Sequence, residues 1–294
     1  MKLVLSGLIP ILATPFTEQG ELDLPSLRRL TEWQLASGAD GVAIFGMASE
    51  GFALTGQDRA RILAEVRDAA GDAVPVVAGV GATSTVTAVE QALAAADGGA
   101  DALMVLPPYL VKPTGAQLVD FYGEVAERSG IDVMVQDAPG ATGVAMPESL
   151  IVELSKLGGV TSVKVEAPPT APKVGAVVGG VAGDFAVFGG QNALFCLEEY
   201  GRGAVGTMPA CEFTDLLAPV LADWTAGRRA DALAAFTRLL PLIRFGMQPG
   251  IAWAVHKEIL VRRGLIASAA VRSPARPLDA GSLAFLDDVL QGLW

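Results

Sequence analysis

The sequence predicts a closed (β/α)8 barrel, the TIM barrel of the α/β class, followed by a C-terminal helical extension. Three observations carry this. Short apolar runs alternate with helical stretches eight times, the signature of serial strand–helix units. Three junctions share one form: Ser37-Gly38-Ala39-Asp40-Gly41, Gly98-Gly99-Ala100-Asp101-Ala102 and Gly201-Arg202-Gly203-Ala204-Val205. In each, a helix ends on glycine and a strand begins at once. The first strand also leads into Ala13-Thr14-Pro15-Phe16, not the glycine-rich dinucleotide turn that an open doubly wound sheet would carry.

Strands are expected at 7–13, 41–45, 75–80, 101–106, 132–136, 160–165, 185–189 and 203–207. Each is a compact apolar run bounded by Gly, Pro, Asp or Thr, as a strand buried on both faces requires. Helical spacing marks 24–37, 57–70, 85–98, 115–129 and 147–157, and Thr55, Ser84 and Thr114 stand where N-caps belong. After the eighth strand only helices are expected, at 210–224, 228–245, 249–263 and 280–293, with breaks at Gly227, Gly264 and 273–277. This divides the chain into a barrel, 1–224, and an extension, 225–294, with no linker long enough to make the latter independent.

The composition narrows the function. A net charge of −11 and scattered basic residues without interleaved aromatics count against nucleic-acid and anionic-membrane partners. Two isolated cysteines, Cys196 and Cys211, and a single histidine, His256, offer no metal-ligand pattern. His256 is expected to pack in a C-terminal helix or face solvent, far from the strand ends. The opening residues lack a signal peptide's apolar core, and no apolar run reaches the length of a membrane span. A cytoplasmic protein with free thiols is expected.

In a barrel, chemistry sits at the C-terminal ends of the strands. Of six lysines, only Lys164 falls in an apolar strand, Val160-Thr161-Ser162-Val163-Lys164-Val165. A lysine held in a dry barrel loses hydration and offers its amine as a nucleophile, as imine chemistry with a ketone needs. The bland reading is a lysine that snorkels out of the barrel top or pairs with Glu166.

Six segments, in this order and spacing, resemble the dihydrodipicolinate synthase / N-acetylneuraminate lyase family of Schiff-base-forming lyases. They are Gly7-Leu8-Ile9-Pro10 through Thr14-Pro15-Phe16, Gly46-Met47-Ala48-Ser49-Glu50-Gly51, Pro107-Pro108-Tyr109, Asp137-Ala138-Pro139-Gly140, the Lys164 strand and Gly189-Gly190-Gln191-Asn192. The resemblance implies that Lys164 condenses with a 2-keto acid, whose carboxylate the loop at Met47, Ala48 and Ser49 holds. It implies a homotetramer or homodimer and no metal or organic cofactor, the imine itself being the electron sink. Asp137 and Gly190 fall on its substrate-binding segments.

The departures are informative. The family's proton-shuttling tyrosine is replaced by Gln136, which cannot exchange a proton at neutral pH. Met47 and Ala48 replace the loop's usual hydroxyl residues, leaving Ser49, so backbone N–H groups of 47–49 are expected to carry the anion. Ala141 stands where the synthase branch has an arginine for a second substrate carboxylate, so dihydrodipicolinate synthesis is not expected. Glu166, two residues beyond Lys164 and so on the same face of its strand, is a candidate acid/base group, with Asp137 and Glu50 as alternatives. Glu50 alternatively only braces its loop. Two functions compete: a lyase acting on a 2-keto acid by aldol cleavage, condensation or dehydration of a 3-deoxy sugar acid, and a non-catalytic barrel that senses a small metabolite.

Overall fold

The computed structural model describes residues 4–293. Eight parallel strands form one sheet: β1 (Gly7–Leu8), β2 (Val42–Ile44), β3 (Val76–Val80), β4 (Ala102–Val105), β5 (Asp132–Asp137), β6 (Val160–Val165), β7 (Ala186–Gly189) and β8 (Gly206–Thr207). Each strand neighbours the next in sequence, and β1 also pairs with β8. The barrel closes at Ile11, which bridges Ala43 on one side and Ala210 on the other. The first strand's regular ladder is shorter than 7–13 because Pro10 has no N–H to give, although its carbonyl still accepts from Ala43 N at 2.9 Å.

The intervening helices are α1 (Leu24–Ala36), α2 (Gly56–Ala70), α3 (Thr85–Asp97), α4 (Gly115–Ser129), α5 (Pro139–Thr142), α6 (Glu148–Leu154), α7 (Thr170–Gly180), α8 (Cys196–Tyr200) and α9 (Thr214–Thr225). Thr55, Ser84 and Thr114 cap α2, α3 and α4 through their hydroxyls, accepting from Asp58, Thr87 and Gln117 N–H respectively, each worth about 1 kcal/mol. The repeated Gly-Ala-Asp junction has a repeated use. Asp40, just before β2, accepts from Leu8 N at the start of β1, and Asp101, just before β4, accepts from Val76 N at the start of β3, both at 2.8 Å.

Alternation along the strands sorts side chains between two layers. Ile9, Ile11, Ala43, Val77, Met104, Met134 and Phe188 fill the barrel interior. Val133, Val135, Val163, Val165 and Val187 face the helices. Gln136 and Lys164 therefore point inward and Asp137 outward. The extension, α10 (Arg229–Phe245), α11 (Ala252–Arg262) and α12 (Ala280–Leu290), shares an apolar cluster with Leu8, α8 and α9. Among the described residues no helix is long and apolar enough to cross a membrane.

Candidate active site

Lys164 on β6 and Gln136 on β5 are register partners. Lys164 is 4% exposed, and its Nζ lies 3.3 Å from Glu166 Oε1. Gln136 Nε2 donates to the other carboxylate oxygen, Glu166 Oε2, at 2.8 Å, and Gln191 N–H reaches Oε1 at 3.4 Å. Gly190 completes the arrangement by what it lacks: a Cβ there would fall 2.3 Å from Glu166 Cγ. It thereby opens the space that the carboxylate fills. The lysine, the acid and the glutamine that replaces the tyrosine form one group.

The loop after β2 is tightly wound. Phe45 and Glu50 have φ of 62° and 55°, while Ser49 and Gly51 N–H donate to Gly46 O and Glu50 N–H to Met47 O. The extension holds this loop from outside. Trp253 Nε1 donates to Met47 O at 2.6 Å, Lys257 pairs with Glu50, and Arg272 N donates to Glu50 Oε2 at 2.8 Å. Glu50 and Lys257 are almost wholly buried, and burial lowers the lysine's pKa to about 8 against the pull of Glu50. Glu50 is therefore the brace of its loop. The N–H groups of Met47 and Ala48 are not taken up by the loop's own turns. Ser49 departs from expectation: its N–H is used within the loop, its hydroxyl is buried without a partner, and its carbonyl accepts from Thr14 Oγ1 at 2.7 Å.

A cavity of about 540 Å³ joins the pieces. Lys164, Glu166, Gln191, Asn192, Met47, Ala48 and Ala141 line its barrel side, and Gln248, Trp253 and His256 its extension side. Gln136 borders an adjoining space of about 280 Å³ beside Tyr109 and Thr142. His256 is buried, as packing implies, but it is not remote: it faces the same cavity as Lys164, and its Nδ1 lies 2.7 Å from the buried Glu212 Oε1. Asp137 is turned the other way. It pairs with Lys173 Nζ of α7 at 2.7 Å, behind the sheet, and burial holds its carboxyl above the usual range despite that partner. This corrects its expected place at the substrate; the strand's alternation forbids Gln136 and Asp137 from sharing a face.

A second carboxylate stands behind Glu166. Glu199 of α8 is fully buried, and a Cβ on Gly189 would fall 1.8 Å from its Oε2. Burial pushes its carboxyl up to about 7, opposed by the Thr170 hydroxyl and Lys164 and reinforced by Glu198 and Glu166. Positive φ angles at the non-glycine residues Gln191, Asn192 and Ala193 follow directly, at 45°, 54° and 61°. All five non-glycine residues with such angles among the described residues lie in the two loops around this site, where strained backbone is characteristically found. Among the described residues no cluster of three or more His, Cys, Asp or Glu could hold a metal ion. Trp253, Arg272, Glu199 and Glu212 carry no local signal in the sequence, and the one signal for Lys257 is the apolar spacing of α11.

The pattern of the dihydrodipicolinate synthetase family matches residues 4–292. The chain is 33% identical over 288 residues to an L-2-keto-3-deoxyarabonate dehydratase of Azospirillum brasilense, covering 95% of this chain and 92% of that one. It is 33% identical over 279 residues to a 4-hydroxy-tetrahydrodipicolinate synthase of Streptomyces coelicolor, covering 94% and 90%. The dihydrodipicolinate synthase structure from Rhodopseudomonas palustris superposes with a TM-score of 0.93 at 28% identity, covering 99% of each chain.

Proposed function

Because the chain belongs to the dihydrodipicolinate synthetase family and is one of its lyases, we propose that it dehydrates a 2-keto-3-deoxy sugar acid through an imine on Lys164. The observation that carries this reading is the placement of Glu166, 3.3 Å from the Lys164 amine and held by the Gln136 amide. The relative from Azospirillum brasilense is named for such a dehydration. Ala141, on the cavity wall, offers no charge for the second carboxylate that dihydrodipicolinate synthesis would bring.

The steps follow from the residues. Met47 and Ala48 N–H groups take the substrate carboxylate. Lys164 Nζ, after passing a proton to Glu166, adds to the C2 carbonyl, and Glu166 returns that proton to the oxygen, which leaves as water to give the iminium. Glu166 removes a proton from C3, adjacent to the new imine carbon, and the electron pair enters the iminium to give an enamine. The enamine then expels the C4 hydroxyl, which takes the proton that Glu166 carries and departs as water. Hydrolysis of the unsaturated iminium frees Lys164. One carboxylate serves each of these proton transfers in turn in this reading, in place of a tyrosine relay. In this reading residues 225–294 are a working part of the site, since they brace the carboxylate loop. The exposed apolar stretch at Tyr109, Leu110 and Val111 supports assembly as a homodimer or homotetramer. The two buried free cysteines fit a cytoplasmic enzyme.

The test is borohydride reduction in the presence of pyruvate and of 2-keto-3-deoxy sugar acids, read by intact mass and peptide mapping. The expected adduct lies on Lys164 and is absent from Lys164→Ala. Turnover of the sugar acid should yield a product lighter by one water. Release of pyruvate and an aldehyde instead would overturn the dehydratase reading, and an adduct on another lysine would overturn the imine site.

A further inference from the structure

His256 is the chain's one histidine, and nothing in the steps above uses it. It projects from α11, which also supplies Trp253 and Lys257 to the carboxylate loop. Its Nδ1 meets Glu212 Oε1 at 2.7 Å, and Glu212 is 0% exposed with Oε2 unpartnered. A carboxylate oxygen accepts, so this contact favours the tautomer with its hydrogen on Nδ1. The ring is thereby oriented, and Nε2 is left for something else. Space for the ring depends on Gly246, where a Cβ would fall 2.9 Å from His256 Cε1.

The ring lines the cavity that holds Lys164 and Glu166. At about 540 Å³ that cavity has room for a chain well beyond three carbons. Of the other polar side chains on this side, Asn192 is engaged through both ends of its amide and Gln248 through its Nε2. Asn192 accepts from Ala210 N at 2.9 Å and donates to Ile243 O at 3.4 Å, and the Gln248 amide donates to Phe245 O at 3.3 Å. Met247, Pro249 and Trp253 make the rest of the wall largely apolar. With carboxylate and imine carbon held at the barrel side, the substrate's far end meets this wall.

The geometry points to His256 as the specificity-determining residue that receives a distal hydroxyl of the keto acid, beyond C4, with Glu212 as the positioning residue that fixes its ring. This rests on the imine reading above and specifies it: the site selects hydroxylated keto acids over equally long apolar ones. A site built to hydrogen-bond a hydroxyl rejects the analogue that lacks it, because the buried polar group is left unpaired.

The test uses the intact protein and competition against pyruvate for the borohydride-trapped adduct on Lys164. The competitors are 2-oxopentanoate and a 2-keto-3-deoxypentonate, equal in carbon number. The wild type should favour the hydroxylated acid by about tenfold or more. His256→Phe should bring the two competitors within about twofold, whereas Glu212→Gln, which keeps an acceptor for Nδ1–H, should retain most of the preference. Equal competition in the wild type overturns the inference even where His256→Phe does not fold. An unaltered preference in a folded His256→Phe overturns it too. Absence of any pyruvate adduct on wild-type Lys164 would instead strike the imine reading itself.

Discussion

Gln136 Nε2 donates to Glu166 Oε2 at 2.8 Å across the seam between β5 and β6. Gln136, which stands where the resemblance implies a tyrosine, thus holds the carboxylate that sits beside the lysine. An amide carries no titratable proton, but two donors on a short arm suit it to fixing an acid.

Glu166→Gln should leave the pyruvate adduct on Lys164 intact and lower sugar-acid turnover at least ~100-fold, the usual scale of general acid–base catalysis. Gln136→Leu, which frees the carboxylate without removing it, should cost about tenfold. Steady-state kinetics alongside trapping separates the two steps. Turnover unaltered in Glu166→Gln would assign the proton to water or to the substrate's own carboxylate.

Gly190→Ala should abolish turnover while the fold persists, because its Cβ would displace Glu166 Cγ from a position 2.3 Å away. Gly189→Ala should act on stability instead, since the atom it meets is Glu199 Oε2 on the other face. Activity assays paired with thermal unfolding should show opposite patterns in the two neighbours.

Much of this was legible in the residues. Strand alternation placed Lys164 and Glu166 on one face, and the caps at Thr55, Ser84 and Thr114 were readable because capping is local. Ser49 was misread because motif spacing says nothing of where a hydroxyl turns; Ser49→Ala should accordingly change keto-acid capture by less than ~0.5 kcal/mol, measured by trapping at graded pyruvate. His256 was set aside because distance along the chain was taken for distance in space. The partners of Glu50 lie more than two hundred residues away, at Lys257 and Arg272, and no local pattern announces a contact of that span.

Stability should fall as pH rises from about 4.5 to 7, through Glu199. Its folded pKa of about 7 exceeds the ordinary 4.5, so in this window the native state binds more protons than the unfolded one and the slope is negative. The full penalty, at most ~3 kcal/mol, stands above pH 7 and vanishes below 4.5. Glu199→Gln should therefore stabilise at pH 8 far more than at pH 5, as denaturant unfolding at the two pH values would measure. Equal effects at both would remove Glu199 as the source.

Lys257→Met should cost about 3–5 kcal/mol, because it strands the buried Glu50 charge. The double variant Glu50→Gln with Lys257→Met should recover more than half of that loss. A double-mutant cycle by urea unfolding reads the coupling, and additive losses would show that the pair is not a unit.

The clamp on the carboxylate loop also sets an order of events in the making of the enzyme. Met47 O waits on Trp253, and Glu50 on Lys257 and Arg272, across sequence separations of 206 to 222 residues for the two hydrogen bonds. A chain that ends at β8 contains Lys164, Glu166 and Gln136 but lacks every extension residue that holds the 46–51 loop. In the proposed reading, the Lys164 amine has no cradle until α11 and the segment around Arg272 dock. Under the proposed function, synthesis from the N-terminus makes docking of the extension the last step in assembling the keto-acid site.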